Sequence, residues 1–225
     1  MTNISSILKI FYKPGQVFRE TKDNKINCLL PLLLLILIYF VASYLLVSTL
    51  IIPDHLNKLE TNTYLSQEEK DKALDYFLSP FHNFSTFLST AFSNLIYYPI
   101  LSFFLTLLPL LFGGKAIKYF KIFSSVIYIG IIKSIGFLLD TYLKLKYLSL
   151  DIGLNLALFF ESSSLYLNSF LAKINIFDFW LLILLTILLS VYYEYSKRKS
   201  FLICFSFWTI IKVILAYFSY LKEII

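Results

Sequence analysis

Cysteine, glycine, proline and charge are all scarce in this sequence. Only two cysteines occur in 225 residues, Cys28 and Cys204, so neither a disulfide framework nor a four-cysteine metal site is available. Six glycines and six prolines, beside 23 phenylalanines and 17 tyrosines, argue against a disordered or low-complexity chain. Charged residues make up 15% of the sequence and hydrophobic residues 58%, whereas a soluble domain has about 25% charged residues. The composition therefore indicates a membrane protein.

The net charge of +6 does not indicate nucleic-acid binding. The lysines and arginines lie at the edges of long apolar blocks and are not gathered on one polar segment. That distribution is the one that sets the orientation of helices in a membrane. We therefore expect membrane lipids, and no nucleic acid, among the partners.

Five apolar blocks are each long enough to cross a bilayer as a helix, which takes roughly 20 residues. They are predicted at about residues 29–52, 84–112, 122–139, 176–195 and 201–221. The second block contains Pro99 and Pro109, where we expect a kink or a break. The first block follows a polar stretch and is too long for a cleavable signal peptide, so we expect it to stay as an anchor.

The predicted fold class is all-α, a polytopic transmembrane helical bundle of five spans. Residues 1–28 are predicted to form a cytoplasmic basic and amphipathic arm, and residues 29–225 the membrane domain. Residues 148–160 are apolar but short and interrupted by polar residues and glycine, so we interpret them as an interfacial or re-entrant piece. A sixth span is the alternative, and it would return the C-terminus to the inner side.

The orientation follows from the basic residues of the connections. Eleven lie on the side of the N-terminus: Lys9, Lys13, Arg19, Lys22, Lys25, Lys115, Lys118, Lys121, Lys197, Arg198 and Lys199. Seven lie on the other side, in longer loops: Lys58, Lys70, Lys72, Lys144, Lys146, Lys173 and Lys222. The count places the N-terminus in the cytoplasm and the C-terminus outside. The many Ile, Lys, Phe, Tyr and Asn residues indicate an AT-rich genome, so we expect a prokaryotic cytoplasmic membrane.

Two further segments have a helical signature. Ile4, Leu8 and Phe11 recur at helical spacing beside lysines, which predicts a helix in the cytoplasmic interface that ends at residues 13–15. A second short helix that starts there would carry Val17 and Phe18 back to the membrane. The alternative is a solvated basic arm that only sets the topology.

The first outer loop is predicted to contain a helix of its own. Ser66 and Glu69 have the spacing of a capping box, in which each side chain bonds the other residue's backbone N–H. The helix would run from there to Leu78 and end before Pro80.

The residues needed for catalysis or metal binding are missing from the spans. No span contains a histidine or a deep carboxylate, and His55 and His82 both lie in the first outer loop without the spacing of metal ligands. Residues 113–115 read Gly-Gly-Lys but lack the remaining positions of a phosphate-binding loop. We therefore predict no catalytic, metal-binding or cofactor-binding residues, and a protein that is not an enzyme.

Two lysines lie inside predicted spans, and they are the candidate binding residues. Lys133 and Lys212 fall at about the same depth, slightly outward of the midplane, where no span offers a carboxylate. Such residues usually line an interior or a cavity, so the pair is a candidate site for an anion or a lipid phosphate. Asp140, Asp178 and Glu161 are the nearest acidic residues on the outer side. The alternative is that each lysine extends to the outer interface along its own stem.

Several short motifs resemble one family in their order along the chain. Residues 11–18 read Phe-Tyr-Lys-Pro-Gly-Gln-Val-Phe, the second span ends in Phe-Gly-Gly-Lys at 112–115, and the last two spans lie around residues 175–180 and 196–199. This order is similar to that of the Yip family of Ypt/Rab-interacting membrane proteins, in its short prokaryotic form. The positions that carry the likeness are Pro14, Gly15, Phe18, Gly113, Gly114 and Lys115.

The resemblance implies five spans, a cytoplasmic N-terminus and no known catalysis. Eukaryotic members contact Rab-type GTPases through a longer arm with an Asp-Leu-Tyr-Gly-Pro motif, and its absence here argues against GTPase binding. We expect a non-enzymatic scaffold or partner subunit that contacts lipids and a cytoplasmic or membrane protein. The alternative is a small transport or lipid- and anion-handling protein that uses Lys133 and Lys212. No oligomeric state is predicted.

Overall fold

A computed structural model describes residues 3–150, 152–160 and 164–224 of the chain. Glu161, one of the predicted outer carboxylates, lies outside the described residues, as do Asp151 and the side chain of Lys222. Within these ranges the regular structure is helical. The α-helices are α1 (Asn3–Tyr12), α2 (Pro14–Lys22), α3 (Leu29–Leu46), α4 (Ile52–Thr61), α5 (Gln67–Leu78), α6 (Pro80–Leu107), α7 (Tyr119–Tyr147), α8 (Leu165–Ala172), α9 (Ile176–Tyr193) and α10 (Lys197–Ile224).

Five helical stretches in the described residues are long and apolar enough to cross a membrane. They are Leu29–Thr61, Pro80–Phe112, Tyr119–Tyr147, Ile176–Tyr193 and Lys197–Leu221. All five predicted spans and the all-α fold class are thereby confirmed. Most of the helices extend beyond the apolar blocks into charged turns, because a backbone helix continues wherever its residues are good helix formers and no proline or glycine ends it.

Two of the spans change helical type near a proline. The second span is an α-helix through Pro99 and then tightens into a 3-10 turn, Leu108–Phe112, which contains Pro109. The predicted break therefore falls at Pro109. The first span passes through a π-helical turn, Val47–Ile51, directly before α4, whose first turn contains Pro53. A proline cannot donate the backbone hydrogen bond that a regular α-helix needs at its position.

The structure confirms the helix predicted in the first outer loop and the absence of a sixth span over the described part of residues 148–160. α5 begins with the capping box of Ser66 and Glu69 and ends at Leu78. Residues 148–160 form no sixth span in the part of the chain that is described. Part of that segment is held by backbone hydrogen bonds from Leu156 to Ile174 (2.9 Å) and from Ile176 to Leu154 (3.1 Å).

The chain forms two compact units, of which the first contains Met1–Leu35, Tyr98–Gly136 and Leu154–Ile225. Its core includes the fully buried side chains of Phe18, Tyr128 and Ile122. α2 and α10 both pack against α9, and α8 packs against α10. This unit carries the residues discussed below.

The second unit consists of Ile36–Tyr97 and Phe137–Gly153. Aromatic rings hold it together: Phe40 packs edge-on against Phe87 with ring centroids 5.3 Å apart, and Tyr39 lies 5.1 Å from Phe137. A cavity of about 550 Å³ in this unit is lined by the π-helical turn, α4 and residues 148–150.

Candidate functional site

The two lysines predicted to lie inside spans are both found in the first unit. Lys212, on α10, forms an ion pair with Asp178 of α9, with 2.6 Å between the ammonium Nζ and the carboxylate Oδ2. The same ammonium donates a hydrogen bond to the carbonyl of Lys173. The Lys212 and Asp178 side chains are 14% and 13% exposed, so the pair is largely shielded from its surroundings.

Asp178 is held in place by the start of its own helix. The Asn175 side chain accepts from the Phe177 backbone N–H at 2.9 Å, and the Asp178 carboxylate accepts from the Asn175 backbone N–H at 2.8 Å. This capping box fixes the carboxylate in the first turn of α9, where the helix dipole also favours a negative charge. Asp178 therefore serves both the helix start and Lys212.

Lys133, on α7, belongs to the same cluster. The charged groups that act on its ammonium include Asp178 and Lys212. α7 and α9 come close together next to it, since a Cβ added at Gly136 would lie 2.7 Å from the Phe177 ring. We call Lys133, Lys212 and Asp178 the lysine cluster.

Asp178, one of the acidic residues predicted to lie near the lysines on the outer side, is the partner of Lys212. α9 begins only at Ile176, so Asp178 lies within reach of the lysine stem. Asp140, another predicted acidic neighbour, forms an ion pair with Lys144 at 2.9 Å. An anion or lipid site at Lys133 and Lys212 stays a prediction.

A second polar region lies at the end of the first unit where α9 stops and α7 and α10 start. We call it the basic end and define it by Lys22, Lys115, Lys118, Lys121, Lys197, Arg198 and Lys199. Its exposed cations include Lys115, Lys118, Lys197 and Arg198.

Tyrosine side chains fix the end of the second span at the basic end. The Tyr193 hydroxyl donates to the Leu105 carbonyl at 2.9 Å, and the Tyr195 hydroxyl donates to the Pro109 carbonyl at 2.8 Å. Lys199 donates to the Phe112 carbonyl at 2.7 Å, and its ammonium lies 4.1 Å from the centroid of the Tyr195 ring. The last carbonyls of a helix have no hydrogen-bond donor within the helix, so these side chains donate the hydrogen bonds that the backbone does not provide.

Two lysines tie the N-terminal segment to the same end. Lys22 donates to the Val191 carbonyl at 2.9 Å, and Lys121 donates to the Lys22 carbonyl at 2.7 Å. The Tyr192 hydroxyl donates to the Lys121 carbonyl at 3.0 Å. Because these bonds join α2, α7 and α9, the cations of the basic end are presented on a fixed backbone.

Three of the family-motif positions lie in the N-terminal segment. Pro14 starts α2, a position where its missing N–H is not needed. Gly15 faces Ile187 of α9, and a Cβ at this position would lie 3.6 Å from the Ile187 Cγ2, which is an ordinary contact. Phe18 is fully buried.

The other three motif positions form the turn after the second span. Gly113 has a φ of 76°, a left-handed conformation that favours glycine. A Cβ at Gly114 would lie 2.8 Å from the Pro109 carbonyl oxygen and 2.5 Å from the Tyr195 hydroxyl. Lys115 is exposed and lies 3.9 Å from the Glu194 carboxylate. The glycines thus allow the backbone to approach the tyrosines that hold the turn.

The tyrosine and carbonyl contacts were not predicted from the sequence. The available signal was the cluster of Tyr192, Tyr193 and Tyr195 at the end of a span, which also fits ordinary interface aromatics. His55 and His82, the only histidines of the sequence, both pack against the Phe77 ring, with centroid distances of 5.5 and 5.0 Å. In the described ranges no three His, Cys, Asp or Glu side chains come together as a metal site.

Five apolar spans, with charged and hydrogen-bonded residues at their ends, define a polytopic α-helical integral membrane protein. The family model of the Yip1 domain matches residues 8–218, nearly the whole chain, and the protein therefore belongs to the Yip1 domain family. The predicted resemblance is confirmed. No curated protein matches the chain with significance, and the same is true of the solved structures.

Proposed function

We propose that this protein is a non-enzymatic membrane scaffold or partner subunit whose basic end binds a cytoplasmic protein or acidic lipid headgroups. The observation that carries the proposal is the way the basic end is built. Hydrogen bonds to backbone carbonyls fix its helix ends, while Lys115, Lys118, Lys197 and Arg198 stay exposed. A fixed array of cations loses little entropy when it binds a negatively charged surface.

The charge asymmetry of the loops supports a cytoplasmic location for this end. It supports an N-terminus on the cytoplasmic side and a C-terminus outside. We also propose that residues 29–225 form the membrane domain. The composition supports a prokaryotic cytoplasmic membrane. A GTPase partner is not part of the proposal, because the sequence lacks the Asp-Leu-Tyr-Gly-Pro motif.

The test is a mild-detergent purification from native membranes, followed by mass spectrometry of the bound proteins and lipids. One variant changes Lys115, Lys118, Lys197 and Arg198 to Gln. A control changes three lysines of the first outer loop to Gln: Lys58 and Lys72, which are exposed, and Lys70, which is half-buried. We expect the first variant to lose a stoichiometric protein partner or acidic lipid that the control retains. Equal recovery from both variants would contradict the proposal.

The lysine cluster favours a second candidate function, the handling of a lipid or another anion. Lys133 and Lys212 are two cations on membrane-spanning helices, and they lie within electrostatic range of each other. The double variant Lys133→Ala/Lys212→Ala should then lose bound anionic lipid that the basic-end variant keeps. Unchanged lipid binding and expression of the double variant would count against this function.

A further inference from the structure

The N-terminal segment is a helical hairpin and not a single arm. The Lys9 ammonium of α1 lies 3.7 Å from the Glu20 carboxylate of α2, eleven positions further along the chain. In a continuous helix the Cα atoms of these residues would lie about 16 Å apart at 1.5 Å per residue, too far for the two side chains to meet, so the chain bends at Lys13. α1 and α2 pack against each other, with Ile10, Val17 and Phe18 fully buried.

The position of the hairpin along α9 is fixed by contacts at several levels. Lys22, at the end of α2, reaches the carbonyl of Val191 near the end of α9. Gly15 faces Ile187, and the Phe11 ring lies 6.0 Å from the Trp180 ring. Ile187 is about 9 Å and Trp180 about 20 Å along the helix from Tyr193, at 1.5 Å per residue. Since α9 crosses the membrane, the turn of the hairpin lies at a level inside the bilayer.

The charges of the hairpin are arranged in a way that fits this position. The Lys9 and Glu20 side chains are 13% and 12% exposed and neutralise each other, and Gln16 donates to Glu20 at 2.7 Å. Arg19 lies less than one turn from Lys22, and Lys13 is exposed at the turn. The Arg19 stem is long enough to extend its charged group toward the basic end, whereas this placement leaves the Lys13 ammonium inside the leaflet.

The face of α1 that points away from the rest of the protein is apolar and exposed. Ile4, Leu8 and Tyr12 recur every four residues and are 64%, 61% and 64% exposed. Residues four apart lie on the same face of a helix, so they form one stripe along α1. In water this stripe would be costly, whereas in a bilayer it contacts hydrocarbon.

We propose that residues 3–22 form a re-entrant hairpin that enters the lipid leaflet at the basic end, with Ile4, Leu8 and Tyr12 against acyl chains. This placement replaces the predicted cytoplasmic arm and the predicted helix in the interface plane. The depth of these residues distinguishes a re-entrant helix from a helix in the interface plane. A helix in the interface plane holds Ile4, Leu8 and Tyr12 at one depth, whereas a re-entrant helix holds Tyr12 deeper than Ile4.

The experiment uses the full chain with Cys28→Ser and Cys204→Ala, reconstituted in liposomes. Ile4, Leu8 and Tyr12 are changed to Cys one at a time, spin-labelled, and ranked in depth by the ratio of oxygen to nickel-chelate accessibility. Leu202→Cys and Ile210→Cys on α10 are the matched ruler, since both residues are exposed and have the same eight-residue spacing on a span. Lys118→Cys is the water-exposed reference.

We expect the depth to increase from residue 4 to residue 12 by about 12 Å, close to the difference between residues 202 and 210, as follows from 1.5 Å per residue. Equal, shallow depths at residues 4, 8 and 12 would show a helix in the interface plane and overturn the proposal. Accessibility to the nickel chelate equal to that of residue 118 would show a solvated arm and overturn it as well.

Discussion

The substitution Asp178→Asn removes the negative charge of the ion pair and keeps the hydrogen bond that residue 178 accepts in the capping box. Asparagine keeps an oxygen that can accept from the Asn175 N–H, so the capping box survives. What is lost is the negative charge 2.6 Å from the Lys212 ammonium. The expected effect is therefore that of leaving one largely buried cation without its counter-charge.

The size of this effect follows from the burial of the pair. Breaking a buried ion pair by removing one partner costs about 3–5 kcal/mol. Lys212 keeps its bond to the Lys173 carbonyl, so we expect the lower end, about 3 kcal/mol. For a chain of this size each kcal/mol corresponds to roughly 2–4 °C. The variant should thus lose about 6–12 °C in its thermal midpoint.

A double-mutant cycle tests the reasoning. Asp178→Asn, Lys212→Met and the combination are purified in the same detergent, and their thermal midpoints are measured by fluorescence-detected size exclusion. The double variant should recover most of the loss, because it leaves no unpaired charge. If the two single losses add instead, or if all three variants melt within about 2 °C of the original, the pair is not stabilising the protein and the argument fails.

Three further predictions concern other parts of the chain. Gly114→Ala should cost about 1–3 kcal/mol, measured as a lower thermal midpoint, because the added methyl group meets the Pro109 carbonyl. Tyr193→Phe should cost about 1 kcal/mol in the same assay, through the lost bond to the Leu105 carbonyl. Hydrogen bonds from the Ser66 backbone and hydroxyl lower the pKa of Glu69. Their stabilisation of α5 is complete above the ordinary glutamate pKa of about 4.3 and is lost as the pH falls through the lowered pKa, which hydrogen exchange of α5 will show.

Each of the three has a control. Gly15→Ala, where the added methyl makes an ordinary contact, should leave the midpoint unchanged. Tyr217→Phe, at a position 52% exposed, should do the same. Ser66→Ala should remove only the hydroxyl's smaller share of the pH dependence of α5, and Glu69→Gln should remove the share of both bonds. If Gly15→Ala lowers the thermal midpoint as much as Gly114→Ala, or Tyr217→Phe as much as Tyr193→Phe, the corresponding prediction is wrong. The third prediction is wrong if hydrogen exchange of α5 is the same at every pH.

The spans could be predicted because a bilayer imposes a requirement that the sequence meets locally. A run of about 20 apolar residues needs no distant partner to be recognised, and the capping box of Ser66 and Glu69 is complete within four residues. The break at Pro109 follows from one residue's missing N–H. Each of these features depends only on residues that are close together in the sequence, so it can be recognised without knowledge of the tertiary structure.

The contacts between helices could not be predicted in the same way. Lys212 and Asp178 are 34 residues apart, and Tyr193 and Leu105 are 88 apart. Nothing in either local pattern specifies its partner. The sequence named Asp178 among the acidic residues near the two lysines, but it did not specify that Asp178 pairs with Lys212. The return of α1 onto α2 likewise depends on the pairing of Lys9 with Glu20.

The ion pair between α10 and α9 also bears on how the chain is made. Three residues, 194–196, connect the two helices, so they leave the ribosome in close succession. α10 carries a lysine that disfavours its partition into lipid, while its neutralising carboxylate is already present on the preceding helix. The last two spans are therefore expected to enter the membrane as one unit, and a nascent chain that lacks the Asp178 carboxylate should insert α10 less efficiently.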